Sequence, residues 1–289
     1  MTAAAAADPR LEALVDDAVV WASQHGLVVG LGGVPACALV HAPLSVLPVA
    51  FPEDRFNLAV SCMPLFSTLI DKVARDEEYL QQTLEQAAGF DEFTRRLLRL
   101  LRDSRAARRR LAGREVVLGV HRSDYMLDAP SGGFLQVELN TIASSFACLS
   151  TITSRLHAHI LGRAAAAAAA AELAARLPPN DAMARISAAM AAAAGAAGGG
   201  DVIMVVQPGE RNAYDQQWLQ QTLWEAHGIR TVRLTLAQIA ERCSVDGDTG
   251  ELKIGGGGSG SGQRVGLVYF RFAVSLLTHN ISKCPPPSA

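Results

Sequence analysis

The chain has 289 residues, 49% hydrophobic and 19% charged, which suits one long or two ordinary globular domains. Its 26 Lys plus Arg against 28 Asp plus Glu exclude a nucleic-acid binder working through bulk positive charge. No uncharged, strongly apolar run of ~18 residues is present, because the alanine tracts are too weakly hydrophobic to span a bilayer. Residues 1–10 lack the basic region and apolar core of a secretory signal. Cys37, Cys62, Cys148, Cys243 and Cys284 are scattered without a CxxC pair, which argues against a disulfide scaffold or structural zinc and for reduced cytosol.

The first helix is signalled by Asp8 as cap, Pro9 at the first turn, and Leu11, Leu14, Val15, Ala18 and Val19 on one face. Gly26 after His25 supplies the left-handed stop. Residues 27–52 read as loop with short extended pieces, and 53–110 as helices punctuated near Pro64 and Gly89. Asp91 caps the last of these, whose Phe93, Leu97, Leu98, Leu100 and Leu101 include a core stripe. Its arginines at 95, 96, 99, 102, 105 and 108–110 read as a solvated helix face, with cations favourably near the helix C-terminus.

A short apolar strand is expected at Glu115–Val120, running into His121–Met126. A turn at 130–133 leads to a second strand, Phe134–Asn140. An Ala/Gly-rich stretch then reaches Gly198–Gly200, where a domain boundary is placed. Beyond it, strands at 202–206, 229–234 and 265–270 alternate with helices at 213–226 and 236–242, the rhythm of half a doubly wound sheet. Asp246–Gly262 is expected to be an exposed turn ending in a flexible GGGGSGSG spacer, which lacks the Lys-Ser/Thr of a phosphate loop.

Glu138 and Asn140 are two apart on one strand, so both project from one face ~7 Å apart. A carboxylate and an amide oxygen there are hard donors of the kind Mg²⁺ accepts when phosphates complete its shell; a plain solvent-exposed strand face would show the same alternation. Arg122 is either a guanidinium fork for a substrate carboxylate or the ion-pair partner of Asp124. Ser144 and Ser145, before a helix, form either a polar-ligand cradle or a simple cap. Glu210 and Asn212 follow the carboxyl end of a strand, the usual ligand side of an open α/β sheet, and Gln216 and Arg271 lie near the same end. Glu210 could meet an ammonium group there, or simply complement a helix N-terminus. His157 and His159, two apart on a helix, face different directions and make no metal site.

Five blocks in order resemble eukaryotic-type glutathione synthetases: Asn57-Leu58 with its following helices, Gly119–Met126, Gln136–Ile142 with Ser145-Phe146, Glu210–Asn212 with Asp215-Gln216, and Val268–Arg271. The resemblance spans about Leu11 to Arg271. It implies an α/β fold: an N-terminal helical, ATP-grasp-associated region at 1–198 with a strand pair carrying the Mg²⁺ and substrate motifs, then an incomplete, doubly wound parallel substrate-binding domain at 199–271. It also implies ATP- and Mg²⁺-dependent ligation of γ-glutamylcysteine to glycine through an acyl-phosphate, in a cytoplasmic homodimer with a plastid form possible. By that resemblance Glu138 and Asn140 hold Mg²⁺, with Glu138 also near ATP. Arg122, Ile142, Ala143, Ser144, Ser145, Glu210, Arg211, Asn212, Gln216 and Arg271 would hold γ-glutamylcysteine. Ala143 stands where the family has Ser, and Val274 where it has a substrate Tyr. Residues 272–289 read as a divergent tail, with most of the ATP-grasp domain absent. The alternative reading is a non-catalytic fragment that binds substrate or pairs with a full-length subunit.

Overall fold

A computed structural model of the chain describes residues 9–31, 38–111, 115–164, 167–210, 212–255 and 262–271. Asp8, Cys37, Arg211, most of the glycine-rich spacer, Cys284 and the tail from Phe272 lie outside the described residues. Helix α1 (Pro9–Gln24) leads into an antiparallel pair, β1 (Val28–Gly30) and β2 (Leu39–His41). Helices α2 (Glu53–Arg75), α3 (Glu77–Phe90), α4 (Glu92–Asp103) and α5 (Arg105–Leu111) follow. Strands β3 (Arg122–Asp128) and β4 (Gly133–Asn140) form an antiparallel hairpin before α6 (Ala147–Ala164), α7 (Ala167–Ala175) and α8 (Ala182–Ala196). The remainder runs β5 (Asp201–Val205), α9 (Ala213–His227), β6 (Thr231–Leu234), α10 (Leu236–Arg242), β7 (Cys243–Val245), β8 (Leu252–Ile254) and β9 (Gln263–Phe270).

Two compact units emerge, each discontinuous in sequence: Met1–Phe51, Ser145–Ala191 and Pro208–Thr231 in the first, Pro52–Ser144, Ala192–Gln207 and Val232–Ala289 in the second. In the first unit, Leu149, Ile152, Leu156 and Ile160 recur at helical spacing on α6 and pack with Ala18, Ala22, Leu27 and Ala42. The buried positions of α1 are Ala18 and Ala22, whereas Leu11 and Val15, expected inward, are 49% and 39% exposed. Small residues at that contact let the two helices approach closely. Gly26 adopts the left-handed conformation (φ +69°), and its carbonyl accepts the Trp218 indole N–H at 3.0 Å. A Cβ there would sit 2.8 Å from the Trp218 ring, so glycine is required by packing as well as by φ.

In the second unit, a five-stranded sheet has the order β6-β5-β9-β8-β7. Strand β5 is buried along its whole length and pairs parallel with β9. Ile203, Val205, Leu234 and Ile254 form the core, with Val232, Leu236 and Ile239 packed against it. The all-parallel expectation needs correction, because β8 runs antiparallel to β9 and β7 antiparallel to β8. The segment 246–262, read as an exposed turn, thus contains a strand. Its cause is local: Asp246 accepts the N–H groups of Asp248 and Thr249 and the Lys253 ammonium, closing a tight turn, and Ile254 then enters the core.

Two further expectations fail for physical reasons. Residues 115–120 are not a strand; the hairpin begins at Arg122, since no described residue offers 115–120 a ladder partner. Helix α2 continues through Pro64, forfeiting one backbone bond, and the break falls at Asp76, whose carboxylate accepts the Tyr79 N–H at 2.9 Å. The alanine-rich stretch is two helices, α7 and α8, parted around Pro178-Pro179. On α4 only Leu98 of the expected stripe is buried, while Arg95 and Arg96 pair with Glu92, and Arg105 and Arg108 with Glu77. Among the described residues no helix is long and apolar enough to cross a membrane.

The Lys253 ammonium, followed by the Thr249 amide and hydroxyl and the Asp248 N–H, holds the Asp246 carboxyl well below the usual carboxylate range. A depressed folded-state pKa contributes stability that is present above the ordinary value of about 4 and lost as pH falls through the lower folded value. Amide-exchange protection in the β7–β8 hairpin should therefore hold from neutral pH to about pH 4 and decline below it. In Lys253→Met the folded-state value moves back toward the ordinary one, so protection should be weaker at neutral pH and should fall by less below pH 4, which an NMR titration would show.

Candidate functional site

The hairpin register places Arg122 opposite Asn140 and Asp124 opposite Glu138. With a two-residue period, all four side chains share one face. The register then shifts at Asp124/Tyr125, where the partner moves from Glu138 to Gln136, a bulge of the kind that re-aims side chains near sites. Arg122 donates from Nε to Asp124 Oδ1 at 2.8 Å and from Nη2 to Asp124 Oδ2 at 2.9 Å. Asn140 donates from Nδ2 to Asp124 Oδ2 at 3.2 Å, to Glu138 Oε1 at 3.1 Å and to the Arg122 carbonyl at 3.3 Å. Arg122 Nη2 lies 4.0 Å from Glu138 Oε1.

The charges reinforce one another. The hydrogen bonds from Arg122, helped by its positive charge, hold the Asp124 carboxyl below its ordinary value against an opposing effect of burial. Asp124, and more weakly Glu138, raise the Arg122 guanidinium in turn. Because three acceptors surround Asn140 Nδ2, the amide orientation is set, and Oδ1 is left as a hard acceptor on the strand face that also carries Glu138. One carboxylate and one amide oxygen fit a Mg²⁺ ion that takes its remaining ligands from phosphate and water. Among the described residues no group of three or more His, Cys, Asp or Glu could hold a metal alone. Asp124, read from sequence only as a pairing partner of Arg122, thus touches two of the expected site residues. The Arg-x-Asp period on a strand was the available signal.

The same unit carries Ile142, Ala143, Ser144 and Arg271. Ala143 has φ +55°, a left-handed conformation uncommon outside glycine. Ser144 Oγ lies 3.1 Å from both the Val120 and the Asn140 carbonyls, tying this turn to the end of β4. Arg271 is only 5% exposed; its Nη1 donates to the Ser144 carbonyl and lies 3.4 Å from that of Ala143. Its backbone N–H bonds Val205 O at 3.1 Å, the continuation of the β5–β9 ladder. Arg271 therefore braces the 143–144 backbone. A cleft of ≈ 310 Å³ is lined by Val117, Val120, Ile142, Ser144, Val268 and Phe270, among others.

In the first unit, Glu210 Oε1 accepts the Asn212 N–H at 2.8 Å, and Gln216 Nε2 lies 3.5 Å from Glu210 Oε2. Gln216 is 1% exposed. Asn212 Oδ1 is buried and has no hydrogen-bond partner among the described residues, so it is an acceptor in want of a donor. Asp215 is buried and accepts the N–H groups of Phe146 (2.9 Å), Cys148 (3.0 Å) and Leu149 (3.1 Å). The N–H groups at the start of α6 are thereby met by Asp215, from α9, whereas the Ser144 hydroxyl faces carbonyls. His157 bonds the Ser45 carbonyl and His159 bonds Asp17, in keeping with structural roles.

Comparison with known proteins first defines the class. The family model for the eukaryotic glutathione synthase ATP-binding domain matches residues 8–251. A glutathione synthetase-like effector of Globodera pallida, solved in its apo form, shares the fold with a TM-score of 0.70 at 20% identity, covering 93% of this chain and 59% of that one. The chain belongs to the eukaryotic glutathione synthase family. It is 40% identical over 270 residues to the chloroplastic glutathione synthetase of Arabidopsis thaliana, covering 91% of this chain and 48% of the relative. To the chloroplastic enzyme of Solanum lycopersicum it is 39% identical, over 90% of this chain and 47% of the relative. The Dictyostelium discoideum glutathione synthetase is 29% identical, over 91% and 56%. The chain thus spans about half the length of these curated relatives.

Removing the Asp215 carboxylate leaves three N–H groups at the start of α6 without partners. Asp215→Ala should lower the unfolding free energy by about 3 kcal/mol, and Asp215→Asn by less, since one acceptor oxygen remains. Urea unfolding at neutral pH measures both.

Proposed function

We propose that the chain serves glutathione synthesis, the ATP- and Mg²⁺-dependent ligation of γ-glutamylcysteine to glycine that yields glutathione, ADP and phosphate. The observation that carries this reading is the Arg122, Asp124, Glu138 and Asn140 face on β3–β4, inside a chain 40% identical to a plant glutathione synthetase over most of its own length. In the proposed reaction the substrate carboxylate attacks the ATP γ-phosphate, ADP leaves, and the glycine amine displaces phosphate from the acyl-phosphate.

Each group has a part that its chemistry suits. Glu138 and Asn140 would hold Mg²⁺, with Glu138 also beside the nucleotide, and that ion would neutralise phosphoryl charge. Arg122, held through Nε and Nη2, keeps Nη1 for a substrate carboxylate. Ile142, Ala143, Ser144 and Ser145 would line the γ-glutamylcysteine site, with Arg271 bracing 143–144. Glu210 would receive the substrate ammonium, Asn212 Oδ1 a substrate N–H, and Gln216 and Arg211 further polar contacts. We assign residues 199–271 to the substrate-binding domain, residues 1–198 to the helical, ATP-grasp-associated region and 272–289 to a divergent tail. Homodimerisation and a cytoplasmic or plastid location, the latter supported by the chloroplastic names of two relatives, complete the proposal.

A second reading starts from the same family membership. In it the chain is non-catalytic and binds substrate or pairs with a full-length synthetase subunit. Phosphate release by the purified 289-residue protein with ATP, Mg²⁺, γ-glutamylcysteine and glycine separates the two. Release that needs both amino-acid substrates and drops by about 100-fold in Glu138→Ala supports the ligase. No release, with γ-glutamylcysteine still bound, supports the second reading.

A further inference from the structure

We propose that Asp124 is a positioning residue that orients Arg122 and Asn140 together, so that one carboxylate sets both the substrate-facing and the metal-facing groups of the hairpin. The proposal rests on the functional reading above and adds a residue which that reading leaves without a role.

A simple ion pair would account for Arg122 alone. Asp124 does more: Oδ1 takes Arg122 Nε, while Oδ2 takes both Arg122 Nη2 and Asn140 Nδ2. The bidentate grip fixes the plane of the guanidinium and leaves Nη1 outside it. The contact to Nδ2 is one of three that set the Asn140 amide, and it requires that Oδ1 point away from Asp124. Glu138 Oε1 and the Arg122 carbonyl accept from the same Nδ2, so the three contacts agree on a single amide orientation. The register supplies the reason these groups meet, with Arg122 across from Asn140 and Asp124 next to both on the same face.

An Asp124→Asn substitution is nearly isosteric and tests this sharply. Its amide has one oxygen and one NH₂, whereas the site demands acceptors at both positions. With the oxygen kept toward Arg122 Nε, the NH₂ faces Arg122 Nη2 and Asn140 Nδ2, three donors around one point. Asn140 then either keeps its orientation against that added donor or flips, which sets its Oδ1 against Glu138 Oε1 and the Arg122 carbonyl and turns its NH₂ toward the metal position. With the amide reversed, the NH₂ opposes Nε and the guanidinium swings out of plane. Either way a residue that touches neither ligand disturbs both.

The experiment measures γ-glutamylcysteine binding by calorimetry and Mn²⁺ binding by the EPR signal of the free ion, on the full chain. Asp124→Asn should weaken each by about tenfold while shifting the thermal midpoint by no more than about 3 °C, and Asp124→Ala should give the same pattern. Double-mutant cycles carry the decision. The Mn²⁺ loss should vanish in an Asn140→Ala background, and the γ-glutamylcysteine loss in an Arg122→Ala background. Losses that persist in those backgrounds overturn the proposal, because Asp124 would then act through general structure. Unchanged binding in Asp124→Asn overturns it too and leaves the functional reading standing. A wild-type chain that binds neither probe overturns the functional reading, and this proposal with it.

Discussion

Within the first unit, one buried carboxylate supports much else. Asp215 reaches from α9 to three N–H groups that open α6, the helix whose Leu149, Ile152, Leu156 and Ile160 make the core. A carboxylate at a helix N-terminus gains from both hydrogen bonding and the helix dipole, which offsets the cost of its burial. The same contact ties α9 to α6, and α9 also brings Trp218 against Gly26 and Gln216 toward Glu210. Packing, capping and the polar cluster of this unit therefore share a single anchor. Phe146, at φ +74°, is held in its unfavourable conformation by the first of those bonds.

The hairpin of the second unit works by a different economy, that of a two-residue period. Alternate positions on β3 and β4 put a guanidinium, two carboxylates and an amide on one face, where each partner limits the freedom of the next. Little burial is involved, so rigidity comes from mutual hydrogen bonding. Such a face can meet a charged ligand without first rearranging, which lowers the ordering cost of binding. The left-handed Ala143 and the buried Arg271 then fix the chain that leaves β4.

Helix and strand positions that follow from periodicity could be read from the residues alone. The spacing Ala213–Ala226 with Gly228 matches α9 and its left-handed cap, and the Glu138/Asn140 pairing follows from alternation. What escaped reading depended on partners distant in sequence. Val116 to Val120 look like a strand, yet a strand requires a neighbour, and none of the described residues supplies it. Leu252-Lys253-Ile254 is too short to announce itself, and only pairing with Cys243–Val245 and Gln263–Arg264 makes it β. Pro64 suggested a helix break, but losing one backbone bond within 23 residues is tolerated. At the site, Asp124 was visible as a neighbour of Arg122, whereas its bond to Asn140 lies across the hairpin and belongs to the register.

The burial of Cys148 at the start of α6 gives the molecule an internal clock. Cys148 is 1% exposed, while Cys62 on α2 and Cys243 on β7 are partly open to solvent. Among the described residues an alkylating reagent in excess would consume the Cys62 and Cys243 thiols promptly and reach Cys148 only when the beginning of α6 lifts away. The slow phase of modification therefore reads that opening, as a rate where alkylation outpaces reclosing and as an equilibrium population where it does not, in the folded protein and without denaturant.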